Sequence, residues 1–161
     1  MFKVFDEYES EYVYNTYFNN CSDICEDDIR DVNVKNENVT EFNINRALFS
    51  VRAVAMEFGD VGKDKSLLWF QLAKYPEIFK DINLQLISNF KYFNKSSDFK
   101  YVIEFFRNNF EEYKKISMSI ESVSLNKDKI DILVNLGFSE EIVYKDELGK
   151  GNDLIVYSMS I

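Results

Sequence analysis

Residues Lys114 to Ile161 read KKISMSIESVSLNKDKIDILVNLGFSEEIVYKDELGKGNDLIVYSMSI, and this stretch decides the fold. Ile116, Met118 and Ile120 alternate with Ser117, Ser119 and Glu121, the period of two expected of a strand with one face in a core. The period then lengthens. From Asp128 onward, Ile130, Leu133, Val134 and Leu136 recur on one helical face, and Gly137 stands where a helix end needs a residue tolerant of positive φ. Glu141 to Asp146 and Leu154 to Ile161 predict two further strands, joined by a polar turn that holds Gly149, Gly151 and Asn152. The unit is strand, helix, strand, strand.

Around this unit, 161 residues suit one domain over 1–161, enough to bury a core without staples. A hydrophobic content of 46% with 16% aromatics sets the chain apart from disordered sequences. The apolar runs are too short to span a bilayer, and MFKVFDEYES has no basic region followed by an apolar stretch, so neither secretion nor membrane insertion is expected and the cytoplasm is the expected compartment. Nineteen basic against 28 acidic residues give a net charge of −9, a field that repels nucleic acid and anionic membranes and attracts amines and basic peptides. Cys21 and Cys25 stand four apart in a chain with 0 histidines, half a zinc ligand set at best, and read as reduced thiols. Tyrosine and phenylalanine, 10 and 15 in number, suffice to cover a homodimer interface as well as a core.

Phe2 to Phe5 can form a first strand, followed by a helical pattern in which Tyr8, Tyr12, Val13 and Tyr17 share a face. Asn19 to Asn38 is acidic and polar, and reads as a solvated loop with one short helical turn; its carboxylates do not follow the alternate-ligand spacing of a calcium loop. Ile44, Ala47, Leu48, Val51, Val54, Ala55 and Phe58 match helical spacing and predict one long helix, capped by Asn43 or Asn45 and stopped by Gly59. Leu67 to Lys74, and the alternating Ile82, Leu84, Leu86 and Ser88, predict an antiparallel pair of strands. Phe99, Val102, Ile103, Phe106 and Phe110 give the inner face of a helix from about Asp98 to Lys114.

The C-terminal unit resembles the corresponding part of the GNAT N-acetyltransferases, above all those similar to the ribosomal-protein N-terminal acetyltransferases. That family's pattern N-x-x-A/S-x-x-x-Y-x-x-x-G-F finds Asn126, Gly137 and Phe138 in register without a gap. The resemblance implies an α/β (α+β) fold, a mixed and mostly antiparallel sheet flanked by helices on both faces, with acetyl-CoA as cosubstrate and an amine as acceptor. It also calls for one more strand than the pattern shows. Either Leu84 to Phe90 is the strand ahead of the coenzyme loop and an earlier strand is missing, or the sheet is shortened.

By the same resemblance, the coenzyme contacts fall on Ser88, on the loop Asn94, Lys95, Ser96, Ser97 and Asp98, and on Asn126. The family binds the pyrophosphate with main-chain N–H groups at a helix N-terminus, where dipole and free donors favour an anion. Its motif R/Q-x-x-G-x-G/A falls on Phe93 to Asp98, where both glycines are replaced: Ser96 brings a Cβ into the cradle and Asp98 a negative charge. Lys91, Lys95 and Lys100 act in the opposite sense, and Ser96, Ser97 and Asp98 are also good N-caps. Leu133 stands at the tyrosine that protonates the leaving thiolate in many members. These departures leave two functions open: an acetyl-CoA-dependent N-acetyltransferase acting on a cationic amine or a protein N-terminus, or a catalytically inactive GNAT-like binding module.

Overall fold

The computed structural model of the chain describes residues 2–19, 28–31, 39–60, 64–89 and 96–161. Among them, β1 (Phe2–Val4), β2 (Ile29–Arg30), β3 (Ala53–Phe58), β4 (Ser66–Leu72), β5 (Asp81–Ser88), β6 (Lys115–Glu121), β7 (Ser139–Tyr144) and β8 (Leu154–Ser160) form one 8-stranded sheet. The order is β1-β3-β4-β5-β6-β8-β7, with β2 on the β5 edge. All neighbours are antiparallel except β5 and β6, which α3 (Ser96–Asn109) connects by the long crossover a parallel pair requires. The sheet is mixed and mostly antiparallel, as the sequence leads one to expect.

Helices cover both faces. α3 and α4 (Lys127–Asn135) bring Phe99, Val102, Phe106, Leu133 and Leu136 onto Met56, Phe70, Leu84, Ile116, Met118 and Ile120. On the other face, α1 (Ser10–Val13) opens from a 3-10 turn at Glu7–Glu9 and widens into a π-helical turn over Tyr14–Phe18. It packs with α2 (Glu41–Phe49) on Ala55, Leu67, Trp69 and Leu86 through Val13, Tyr17, Ile44 and Leu48. Tyr8 is 87% exposed and leaves that face to Val13 and Tyr17. No helix among the described residues is long and apolar enough to cross a membrane.

The long helix expected from Ile44 to Phe58 is two elements. α2 ends at Phe49, with Arg52 N–H donating to the Ala47 carbonyl at 3.0 Å and Val51 forced to φ 52°, and the chain then enters β3. β3 lies between β1 and β4 with all its residues buried, so it shows no alternation; Val54, Ala55 and Phe58 fall on helical spacing by coincidence. The cap is Thr40, whose hydroxyl accepts from Asn43 N–H at 3.2 Å, while Asn45 donates to the Glu7 carbonyl at 2.8 Å. β3 is the strand missing from the sequence pattern, and β5 is the one ahead of α3.

The C-terminal unit follows its sequence closely. β6 alternates buried and half-buried residues, Gly137 has φ +99°, and β7 and β8 form the hairpin. α4 is rotated slightly from the expected face: Lys129, Leu133 and Leu136 point inward and Val134 is 55% exposed. Lys129 tolerates burial because its Nζ donates to the Ser124 carbonyl at 3.2 Å. Asn126 caps the helix, its Oδ1 accepting from Lys129 N–H at 2.9 Å. Replacing it by alanine should cost about 1 kcal/mol, and Asn126→Ser should restore most of that; equal denaturation midpoints for wild type and Asn126→Ala would show the cap to be idle.

Glu57 is a carboxylate inside the sheet, 6% exposed. Burial alone would raise its pKa, but Lys65 Nζ at 2.8 Å, Tyr17 OH at 2.7 Å and Tyr12 OH at 2.8 Å all donate to it and hold it below the usual range. The Tyr17 phenol is pushed well up, first by burial and then by that carboxylate. A carboxyl with a depressed folded pKa contributes stability above its unfolded pKa and loses it as pH falls through the folded value. Glu57→Gln should therefore destabilise by roughly 1–3 kcal/mol at neutral pH. In urea unfolding, the gap to wild type should narrow below about pH 4; a gap that stayed constant into acid would contradict an ionised Glu57.

Candidate functional site

β5 and β6 pair at Asp81–Lys115, Ile82–Ile116 and Asn83–Ser117 and then part, although β5 runs on to Ser88 and β6 to Glu121. The cause lies on the other edge of β5. Against β4, Leu84 faces Phe70 and Leu86 faces Trp69, which leaves Gln85 without an opposite residue. A bulge of this kind bends its strand and increases the local twist. It falls just beyond Asn83, where the pairing with β6 stops, and so turns the second half of β5 away. The two faces are re-registered there: Leu84 packs under α3 and α4, and Leu86 under α1 and α2.

The sheet opens here into a wedge, and the chain itself enters it. Ile29 pairs with Ile87 and Arg30 with Leu86, antiparallel, and Asp31 N–H donates to the Gln85 carbonyl at 2.7 Å. Ile29 is 1% exposed within the α3–α4 core. On the β6 side, Ser119 N–H donates to Asp31 Oδ2 at 3.4 Å. At the mouth, Asp28 Oδ1 accepts from Asn89 N–H at 3.1 Å and Asp28 Oδ2 meets Arg30 Nη2 at 2.9 Å. Asn89 is itself fixed at φ 55° by donating from Nδ2 to the Lys65 carbonyl and accepting from Ser66 Oγ.

The α1–α2 core contains no residue of β6, β7 or β8, so the β6 face that carries Ser117, Ser119 and Glu121 stays partly open. Asn83 lies on this face beside Ser117, and its Oδ1 is buried with no hydrogen-bond partner among the described residues. Glu121 Oε2 accepts from Asn152 Nδ2 at 3.1 Å. Ser117, Ser119 and Glu121 thus give the half-buried β6 face polar groups, with acceptors that suit an ammonium or amine donor.

Of the residues singled out in the sequence, Ser88 ends β5 and is 3% exposed. Because β5 and β6 are parallel, Ser88 and the α4 cap Asn126 belong to the same end of the sheet. Ser96, Ser97 and Asp98 open α3, while Asn94 and Lys95 lie outside the described residues, as do Cys21, Cys25 and most of 19–38. Leu133 is fully buried beneath α4. The sequence places Asp28, Ile29, Arg30 and Asp31 in a solvated loop, whereas the structure buries Asp28, Ile29 and Asp31 and pairs Ile29 and Arg30 with β5. The only signal was one apolar residue, Ile29, set among charges.

No family model matches this sequence, and no curated protein matches it either. Solved structures do. The smu.2055 protein of Streptococcus mutans superposes with a TM-score of 0.69 at 16% identity, over 99% of this chain and 98% of that one. The ribosomal-protein-alanine N-acetyltransferase of Brucella melitensis gives 0.67 at 14% identity, over 100% and 99%. A variant of the spermidine N-acetyltransferase SpeG of Vibrio cholerae gives 0.63 at 15% identity, over 99% and 92%. At such identity the likeness speaks for the fold: this chain has the fold of the GNAT N-acetyltransferases.

Proposed function

We propose that the protein is an acetyl-CoA-dependent N-acetyltransferase acting on an amine, either a small cationic amine or a protein N-terminus. The observation that carries this reading is the parting of β5 from β6 at the Gln85 bulge, which makes a wedge in the middle of the sheet. Two structural neighbours support it, a spermidine N-acetyltransferase and a ribosomal-protein-alanine N-acetyltransferase. The net charge of −9 and the acceptors of Ser117, Ser119 and Glu121 favour an approaching cation.

Acyl transfer to an amine needs the ammonium to lose a proton and the leaving thiolate to gain one. Leu133 can do neither, and Glu121 is the carboxylate on the open β6 face that can take the amine proton through water. Asn126 already uses Oδ1 to cap α4 and keeps its Nδ2 donors for a ligand. Positioning alone supplies much of the acceleration for a thioester. In the described conformation, however, the residues do not fit an acyl-CoA arm: the β5 edge at Leu86 and Ile87 is covered by β2. That covering, together with buried Leu133, favours a second reading, a GNAT-like binding module without catalysis.

Calorimetric titration with acetyl-CoA and free CoA, followed by a thiol-release assay with spermidine and with an N-terminal alanine peptide, separates the two. The transferase reading expects saturable binding, weakened about tenfold in Ser97→Glu by charge repulsion at the start of α3, and thiol release that depends on the amine. Binding without thiol release would select the module. Absence of binding at millimolar ligand, in wild type and in variants that weaken the seating of residues 28–31, would overturn the transferase.

A further inference from the structure

The edge of β5 that faces β6 is satisfied by this chain along its described length. Asp81 to Asn83 pair with β6, Gln85 to Ile87 pair with residues 29–31, and Asn89 N–H is taken by the Asp28 carboxylate. An extended ligand arm lying along β5 needs these same N–H and C=O groups, since a strand edge offers one set of partners. An anion at the mouth would need the Asn89 N–H that the Asp28 carboxylate holds, and Asp28 and Asp31 are buried in the wedge at 2% and 1% exposure. The segment and the ligand exclude each other on geometry.

We propose that residues 28–31 are an intramolecular competitor for the coenzyme, an autoinhibitory strand whose release from the β5 edge governs access to the cleft. The inference rests on the transferase reading. The holding interactions are unequal. Ile29 anchors the segment in the core, Asp28 and Asp31 pin its two ends to Asn89 and Ser119, and among the described residues the backbone pairing with β5 runs from Ile29 to Asp31. With Ile29 as the apolar anchor of the described segment, replacing that one side chain shifts the population of the seated state. The segment lowers apparent affinity by the fraction of molecules in which the edge is free, and weakening the anchor raises that fraction.

The test compares wild type, Ile29→Asn, Ile29→Val and Asp28→Asn/Asp31→Asn. Ile29→Asn leaves the net charge unchanged, so a gain cannot come from general electrostatics, and Ile29→Val keeps the anchor and controls for the site. Each protein is titrated with acetyl-CoA in a calorimeter, and hydrogen exchange of the β5 amides, including Asn89, is measured without ligand. The expected result is faster exchange at Asn89 and Ile87 in Ile29→Asn and in the double variant, with acetyl-CoA binding at least about tenfold tighter than wild type, and wild-type behaviour in Ile29→Val. Faster exchange with unchanged, measurable affinity would overturn the competition while leaving the transferase reading standing. Faster exchange with no binding in any protein would overturn the transferase reading and the competition with it. Unchanged exchange in both weakened variants would show that the segment does not cover the edge. Loss of cooperative unfolding in Ile29→Asn would pass the decision to the double variant, whose replacements leave the apolar anchor intact.

Discussion

The fold turns on one irregularity, the unmatched residue Gln85 between the β4 partners of Leu84 and Leu86. A regular β5 would pair with β6 to its end and close the sheet. The bulge bends β5 away after Asn83, and backbone groups in the middle of the sheet then lack a partner strand. Buried N–H and C=O groups cannot be left so at low cost. Something must occupy the wedge, and in this chain it is Ile29 and Arg30 with the flanking aspartates. Function and fold are thus tied to a single question about which partner satisfies β5.

Buried carboxylates mark the places where this sheet departs from an apolar sandwich. Glu57 near one edge is held by two tyrosines and a lysine, a closed set that reads as structural. Asp28 and Asp31 in the wedge accept from the backbone N–H groups of Asn89 and Ser119, and Asp28 also from Arg30. The difference matters. The donors to Glu57 are side chains, with Tyr17 seated in the α1–α2 core, whereas the Asn89 and Ser119 N–H groups that meet Asp28 and Asp31 lie beside the wedge, where an anionic or extended ligand could use them equally well.

The C-terminal unit was legible because each of its elements keeps a clean period: β6 has one face in the core and one open, α4 has caps at both ends, and the β7–β8 turn is marked by glycines. β3 was illegible for a physical reason. A strand buried on both faces carries no alternation, and its run of apolar residues continued the pattern of α2 across a break signalled only by the conformation of Val51. β2 was illegible because its pairing comes from the bulge in β5 far along the chain, and two residues within an acidic stretch have no local preference strong enough to show. At the candidate site, the missing glycines and Leu133 were plain in the sequence, while the covered edge required the three-dimensional structure.

The most direct measurement is nuclear Overhauser contact across the wedge in the free protein, observed by NMR with isotope-labelled chain. The account predicts cross-strand contacts between Arg30 and Leu86, with none between the backbones of Leu86 and Ile120. Contacts joining Leu86 directly to Ile120, with Arg30 elsewhere, would mean that β5 and β6 close on each other and that neither the wedge nor its occupant exists.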